Sequence, residues 1–149
     1  MTHIHVSITE QKLRLHHGGE LVSEYVISTA ARGIGFEEGS YCTPPGRFEI
    51  SEKIGAHEAI GTIFRSRKPE EIWDGSLCDD DLVLTRILRL HGLDSENANT
   101  LQRYIYIHGT NQEHLLGEPA SCGCIRMSNE DVRVFFDQVE VGTPLVIVP

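Results

Sequence analysis

The residues best equipped for chemistry fall in two short runs, His108-Gly109-Thr110 and Ser121-Cys122-Gly123-Cys124-Ile125-Arg126-Met127. Cys124 follows His108 by 16 positions, and Arg126 follows Cys124 by two. A cysteine attacks through its thiolate, so it needs a base to take the proton and a setting that favours the charge. Arginine's forked donors suit a substrate carboxylate. Taken singly, a histidine or a free cysteine is more often a packing residue than a reacting one. The joint pattern points instead to covalent acyl transfer. Cys124 attacks an amide or ester carbonyl, His108 takes its proton, and Arg126 holds a carboxylate. Main-chain N–H groups of Gly123 and Cys124, joined by Cys122, face the oxyanion. Gly109 and Gly123 allow tight turns beside the reacting groups. On this reading Cys124 is a stabilised thiolate and the most readily alkylated thiol. No metal or other cofactor is needed. A zinc site from His108, Cys122 and Cys124 is the competing use of the same residues. It needs a fourth ligand such as His114, and Cys-x-Cys is tighter than the usual two to four intervening residues.

The run Tyr106-Ile107-His108-Gly109-Thr110, followed by Ser121 to Met127, resembles the signature of the L,D-transpeptidase (YkuD) catalytic domain. That signature reads His-Gly, a spacer, then Ser-His-Gly-Cys-Ile-Arg. The likeness extends to Thr43-Pro44-Pro45-Gly46-Arg47-Phe48 and Leu84-Thr85-Arg86-Ile87-Leu88, and so covers most of the chain. There is one departure: the signature histidine two before the nucleophile is Cys122 here. The resemblance implies Cys124 as nucleophile and His108 as base, with the Gly109 carbonyl orienting the other imidazole nitrogen. Ser121, Cys122, Gly123 and Arg126 are then the surrounding substrate and oxyanion contacts. It implies as partner a peptidoglycan stem tetrapeptide, cut between the L-centre of its diamino acid and the terminal D-alanine. The acyl-enzyme then passes to an amine, which is cross-linking, or to water, which is L,D-carboxypeptidation. A thiol in place of an imidazole at position 122 opens space beside the nucleophile. That favours an L,D-carboxypeptidase of cell-wall recycling, with cross-linking as the alternative.

Length and composition fit this scale of protein. At 149 residues the chain suits one domain, 1–149, with a real core. Its 40% apolar and 23% charged content is that of a globular protein. A net charge of -9 argues against nucleic acid or an anionic membrane as partner. No apolar run follows Met1, and no stretch approaches the roughly 18 residues of a membrane span. Four cysteines, with Cys122 and Cys124 too close in an extended segment to bridge easily, read as free thiols. The expected location is therefore the cytoplasm, or the periplasm if a leader precedes this sequence.

The elements that position these residues are mostly strands. Ile4, Val6 and Ile8 alternate with polar residues, as do residues 11–15 and 21–28, giving an opening β-meander. Residues 29–45 read as loop, and Arg47 to Ser51 as a strand after the Thr-Pro-Pro-Gly turn. Residues 52–78 read as a solvated loop or a lid. Asp79-Asp80-Asp81 predicts a helix start. Val83, Leu84, Ile87, Leu88 and Leu90 would form its apolar side, Arg86 and Arg89 its surface, and Gly92 its end. Tyr104 to His108 reads as a strand that projects His108 beside two tyrosines. If residues 122–126 are extended, Cys122, Cys124 and Arg126 share a face. Ser128 caps a second helix whose stripe is Val132, Phe135, Phe136 and Val139. Leu145 to Val148 closes the chain as a strand. The sum is a mainly β single domain, and the resemblance implies a sandwich-like fold with a few helices.

Overall fold

Alternating apolar residues make ten strands in the computed structural model, which describes residues 1–149. They are β1 (Thr2–Ser7), β2 (Lys12–His17), β3 (Glu20–Ser28), β4 (Gly46–Ile54), β5 (Thr62–Arg65), β6 (Lys68–Ile72), β7 (Val83–Gly92), β8 (Tyr106–Gly109), β9 (Ile125–Met127) and β10 (Pro144–Val148). One helix, α1 (Asn129–Gln138), and a 3₁₀ turn at Glu113–Leu115 complete the regular structure. No helix is long and apolar enough to cross a membrane.

The strands form one sheet in the order β4-β10-β1-β2-β3-β9-β8-β7-β5-β6, and β4 also pairs with β7. That extra pairing closes eight strands into a barrel around a single core. The expected sandwich-like packing is therefore achieved by one sheet wrapped on itself. β5 and β6 hang on β7 as a hairpin outside the closure. The inward faces supply Ile4, Val6, Leu13, Leu15, Ile27, Phe48, Ile50, Leu88, Leu90, Ile107, Ile125 and Met127, all at most 2% exposed. α1 contributes Val132, Phe135 and Phe136 to the same core and packs on β7 and β8. Its start is fixed as the sequence predicts, with the Asp131 N–H donating to Ser128 Oγ at 3.0 Å.

The helix expected after Asp79 is the strand β7. Its apolar residues are consecutive because both of its faces are covered. Leu88 and Leu90 enter the barrel core, while Ile87 joins Phe64 and Tyr106 in a second cluster on the other face. A strand buried on both sides loses its two-residue alternation and is easily read as helix. An irregularity between Leu84 and Ile87, with Thr85 at φ 73, shifts the phase further. Arg86 accordingly lies inside rather than on a helix surface, and donates to the carbonyls of Glu58 and Thr85 at 2.9 and 2.7 Å.

Candidate active site

β8 and β9 run parallel, with Ile107 opposite Ile125 and His108 opposite Arg126. The isoleucines face the core, so His108 and Arg126 project together from the opposite face. Tyr106 and Cys124, two residues earlier, lie on that same face, where both join the Phe64–Ile87 cluster. The sheet register thus gathers what the sequence separates by 16 positions.

Segment 122–124 is a bend rather than an extended run, and regular pairing begins at Ile125. Gly123 sits at φ 124, a region that side-chain-bearing residues rarely adopt, and a Cβ there would lie 3.2 Å from the Cys42 carbonyl. Ser121, 3% exposed, holds the bend from within: its Oγ donates to the Cys124 carbonyl at 2.7 Å and accepts the Gly123 N–H at 3.2 Å. Thr43 holds it from outside, donating to the Gly123 carbonyl at 2.8 Å and accepting the Ala30 N–H at 3.0 Å. Through this bend the side chains of Cys122, Cys124 and Arg126 come to lie at different depths. Cys122 is exposed, Cys124 half-buried and Arg126 wholly buried. The Gly123 N–H is taken by Ser121, whereas those of Cys122 and Cys124 have no partner in the protein.

The Cys124 sulfur sits between two backbone groups. It accepts from the Tyr106 N–H at 3.3 Å and donates to the Tyr104 carbonyl at 3.4 Å. Burial among the cluster residues pushes the thiol up to about 12, against the opposing effect of the Tyr106 N–H. Burial at this position thus favours the neutral thiol over the thiolate that the motif suggests.

His108, 2% exposed, is held by its Nδ1, which lies 2.6 Å from the Gly109 carbonyl. A carbonyl only accepts, so Nδ1 carries the hydrogen and neutral His108 presents a bare Nε2. That Nε2 has no hydrogen-bond partner in the protein. Burial lowers the imidazole's pKa below 6.5, with the Asp81 carboxylate pulling the other way. No hydrogen bond joins His108 to Cys124 at rest. Gly109 is required here by close approach: a Cβ would lie 2.4 Å from Asn129 Oδ1 and 2.7 Å from the Leu84 carbonyl. Asn129 then locks the next residue, donating to the Thr110 carbonyl at 2.8 Å.

Arg126 has its partners within the protein. Its guanidinium donates to Asp81 at 3.1 Å, Gln112 at 2.6 Å and Ser28 at 3.2 Å, and its side chain is 0% exposed. Its two terminal nitrogens are thus occupied within the protein, while its buried Nε has no partner. Arg126 ties segments 79–82 and 110–113 to the floor of the site. Gln112 and Ser28 carry no signal in the sequence, each being a common polar residue with no local pattern, and Asp81, expected at a helix start, instead pairs with Arg126. Residues 62–72, expected as loop or lid, form the β5–β6 hairpin with Arg67 at its turn. The signal was present in two short runs, Thr62-Ile63-Phe64 and Glu70-Glu71-Ile72, on either side of Ser66-Arg67. His114 is exposed on the 3₁₀ turn. No three His, Cys, Asp or Glu side chains converge anywhere in the chain, so the zinc alternative has no ligand set.

A model of the L,D-transpeptidase catalytic domain, YkuD, matches residues 1–147. The chain is 33% identical over 105 residues to the putative L,D-transpeptidase YqjB of Bacillus subtilis, covering 70% of this chain and 51% of that protein. It thus spans about half the length of that relative. The L,D-transpeptidase from Xylanimonas cellulosilytica superposes over 99% of this chain and 60% of its own, with a TM-score of 0.65 at 17% identity. L,D-transpeptidase 3 from Mycobacterium tuberculosis, in complex with a faropenem-derived adduct, covers 99% of this chain and 60% of its own at 20% identity, with a TM-score of 0.62. At these identities the structural likeness is one of fold.

Proposed function

Because the chain belongs to the L,D-transpeptidase catalytic-domain family, we propose that it catalyses cysteine acyl transfer on peptidoglycan stem peptides, with water as its main acceptor. The carrying observation is the pairing on one sheet face of a thiol at an unpartnered N–H turn with an imidazole whose Nε2 is left without a partner. The donor is the stem tetrapeptide, and the bond cut joins the L-centre of its diamino acid to D-alanine. Substrate binding brings Cys124 and His108 into contact, as catalytic pairs often tighten only in the complex. The thiol proton passes to His108 Nε2 as sulfur attacks the carbonyl carbon. The N–H groups of Cys122 and Cys124 donate to the oxyanion. The C–N bond breaks, the imidazolium protonates the departing amine, and a thioester remains. Water then gives a proton to His108, its oxygen attacks the thioester, and the thiol is restored with release of the tripeptide.

Water is favoured by the exposed Cys122, a small side chain that leaves the thioester open to solvent. An amine competes only if a site holds it close and oriented. One feature favours that second reading, cross-linking. A cavity of about 190 Å³ beside Cys122 is lined by Glu38, Tyr41, Arg103 and Tyr104, and Glu38 could receive an ammonium group. Product analysis by mass spectrometry decides. Tetrapeptide alone should give tripeptide and D-alanine, and a second stem peptide in excess should add little dimer. Dimer as the main product at modest acceptor concentration would establish cross-linking, and no product from Cys124-intact protein would remove both readings.

A further inference from the structure

The Arg126 side chain is wholly buried and its terminal nitrogens are held by Asp81, Gln112 and Ser28, so the candidate for meeting a donor carboxylate is an accessible cation beside the nucleophile that lacks an acidic partner. We propose that Arg67 is that residue. It stands at the turn of the β5–β6 hairpin, where Ser66 and Arg67 both adopt positive φ, 51 and 65. Such a turn suits the twist of a two-residue hairpin but is unfavourable for residues other than Gly, Asn or Asp. The turn aims the half-buried guanidinium back at the site. It donates to Tyr106 Oη at 3.1 Å and lies 5.2 Å from the centre of the Tyr104 ring. These are the two residues whose backbone groups hold the Cys124 sulfur. Arg67 is therefore connected to the nucleophile's surroundings through both tyrosines.

Arg67 also has no acidic partner. Its neighbours Arg65 and Arg89 are taken by Glu70 and Glu71, and by Glu52. An arginine stacked on one ring and hydrogen-bonded to a neutral phenol retains donors for a planar anion. The chemistry that fits is a carboxylate of the donor peptide, on the hairpin side of its scissile carbonyl. A stem tetrapeptide offers two sources, the terminal D-alanine and the side chain of the diamino acid where that residue carries one. This inference rests on the acyl-transfer reading and adds to it the group that selects the donor.

The test compares four donors: the tetrapeptide free acid, its terminal carboxamide, its diamino-acid side-chain carboxamide, and the doubly amidated form. Wild-type protein should prefer the free acid to the doubly amidated form by roughly 10–100-fold in kcat/KM, the range for a charge-assisted pair. In Arg67→Gln that ratio should fall to near one. Arg67→Lys should restore part of it, mainly through KM. Whichever single amidation removes the preference in wild type names the carboxylate. Thermal melts of both variants check the fold, and the within-enzyme ratio is insensitive to the fraction folded. A ratio unchanged in Arg67→Gln overturns the proposal while leaving acyl transfer intact. Failure of the wild type to turn over any of the four donors removes the function and this proposal with it.

Discussion

His108 serves as a base only while it is neutral. Burial lowers its pKa below 6.5, so neutral imidazole persists into mild acid. The acid limb of kcat/KM should therefore bend below pH 6.5, and His108→Ala should remove both limb and activity. With the Cys124 thiol pushed up to about 12, no thiol ionisation should bend the profile near pH 9. The same burial acts on folding. The unfolded histidine binds a proton more readily than the native one, so the native state loses stability as pH falls from 6.5 through the lowered folded pKa. The neutral resting thiol has a separate signature. Iodoacetamide at pH 7 should modify exposed Cys78 and Cys122 before Cys124. Peptide mapping that finds Cys124 first would mean the resting site holds a thiolate after all.

At the scale of elements, the site depends on how closely α1 and β7 approach β8. Gly109 lies where Asn129 and the Leu84 carbonyl leave no room for a methyl group. Asn129 is itself held, accepting from Thr85 Oγ1 at 2.6 Å and donating to the Thr110 carbonyl. Gly109→Ala should therefore cost about 1–3 kcal/mol by overpacking. It should also lower kcat, since displacing the Gly109 carbonyl frees the imidazole that it orients. Unchanged denaturant midpoint and kcat would show the segment to be slack. The sequence displayed the reacting residues well, because His108, Cys124 and their glycines occur in local runs with a recognisable order. It displayed their supports poorly. Ser28, Gln112 and Asn129 reach the site across long stretches of chain, and no period marks them. β7 was illegible for a physical reason: Ile87 is buried on one face as deeply as Leu88 is on the other. The β5–β6 hairpin was obscured by a turn that contains neither Gly nor Asn.

For the whole molecule, closure by β4 and β7 leaves β6 as the end strand of the sheet, paired on one side only. All five β6 residues are exposed. An open strand of this kind invites a second molecule to continue the sheet. Here it reads Lys68-Pro69-Glu70-Glu71-Ile72, with a proline that offers no N–H and three charges. The hairpin that carries Arg67 at its turn thus ends in a strand whose composition disfavours edge-to-edge pairing. Pro69→Val combined with Glu70→Val should turn it into an adhesive edge. Light scattering should then show concentration-dependent growth in mass while the parent's mass stays constant. If the double variant matches the parent at every concentration, the proline and the charge are not what guard this edge.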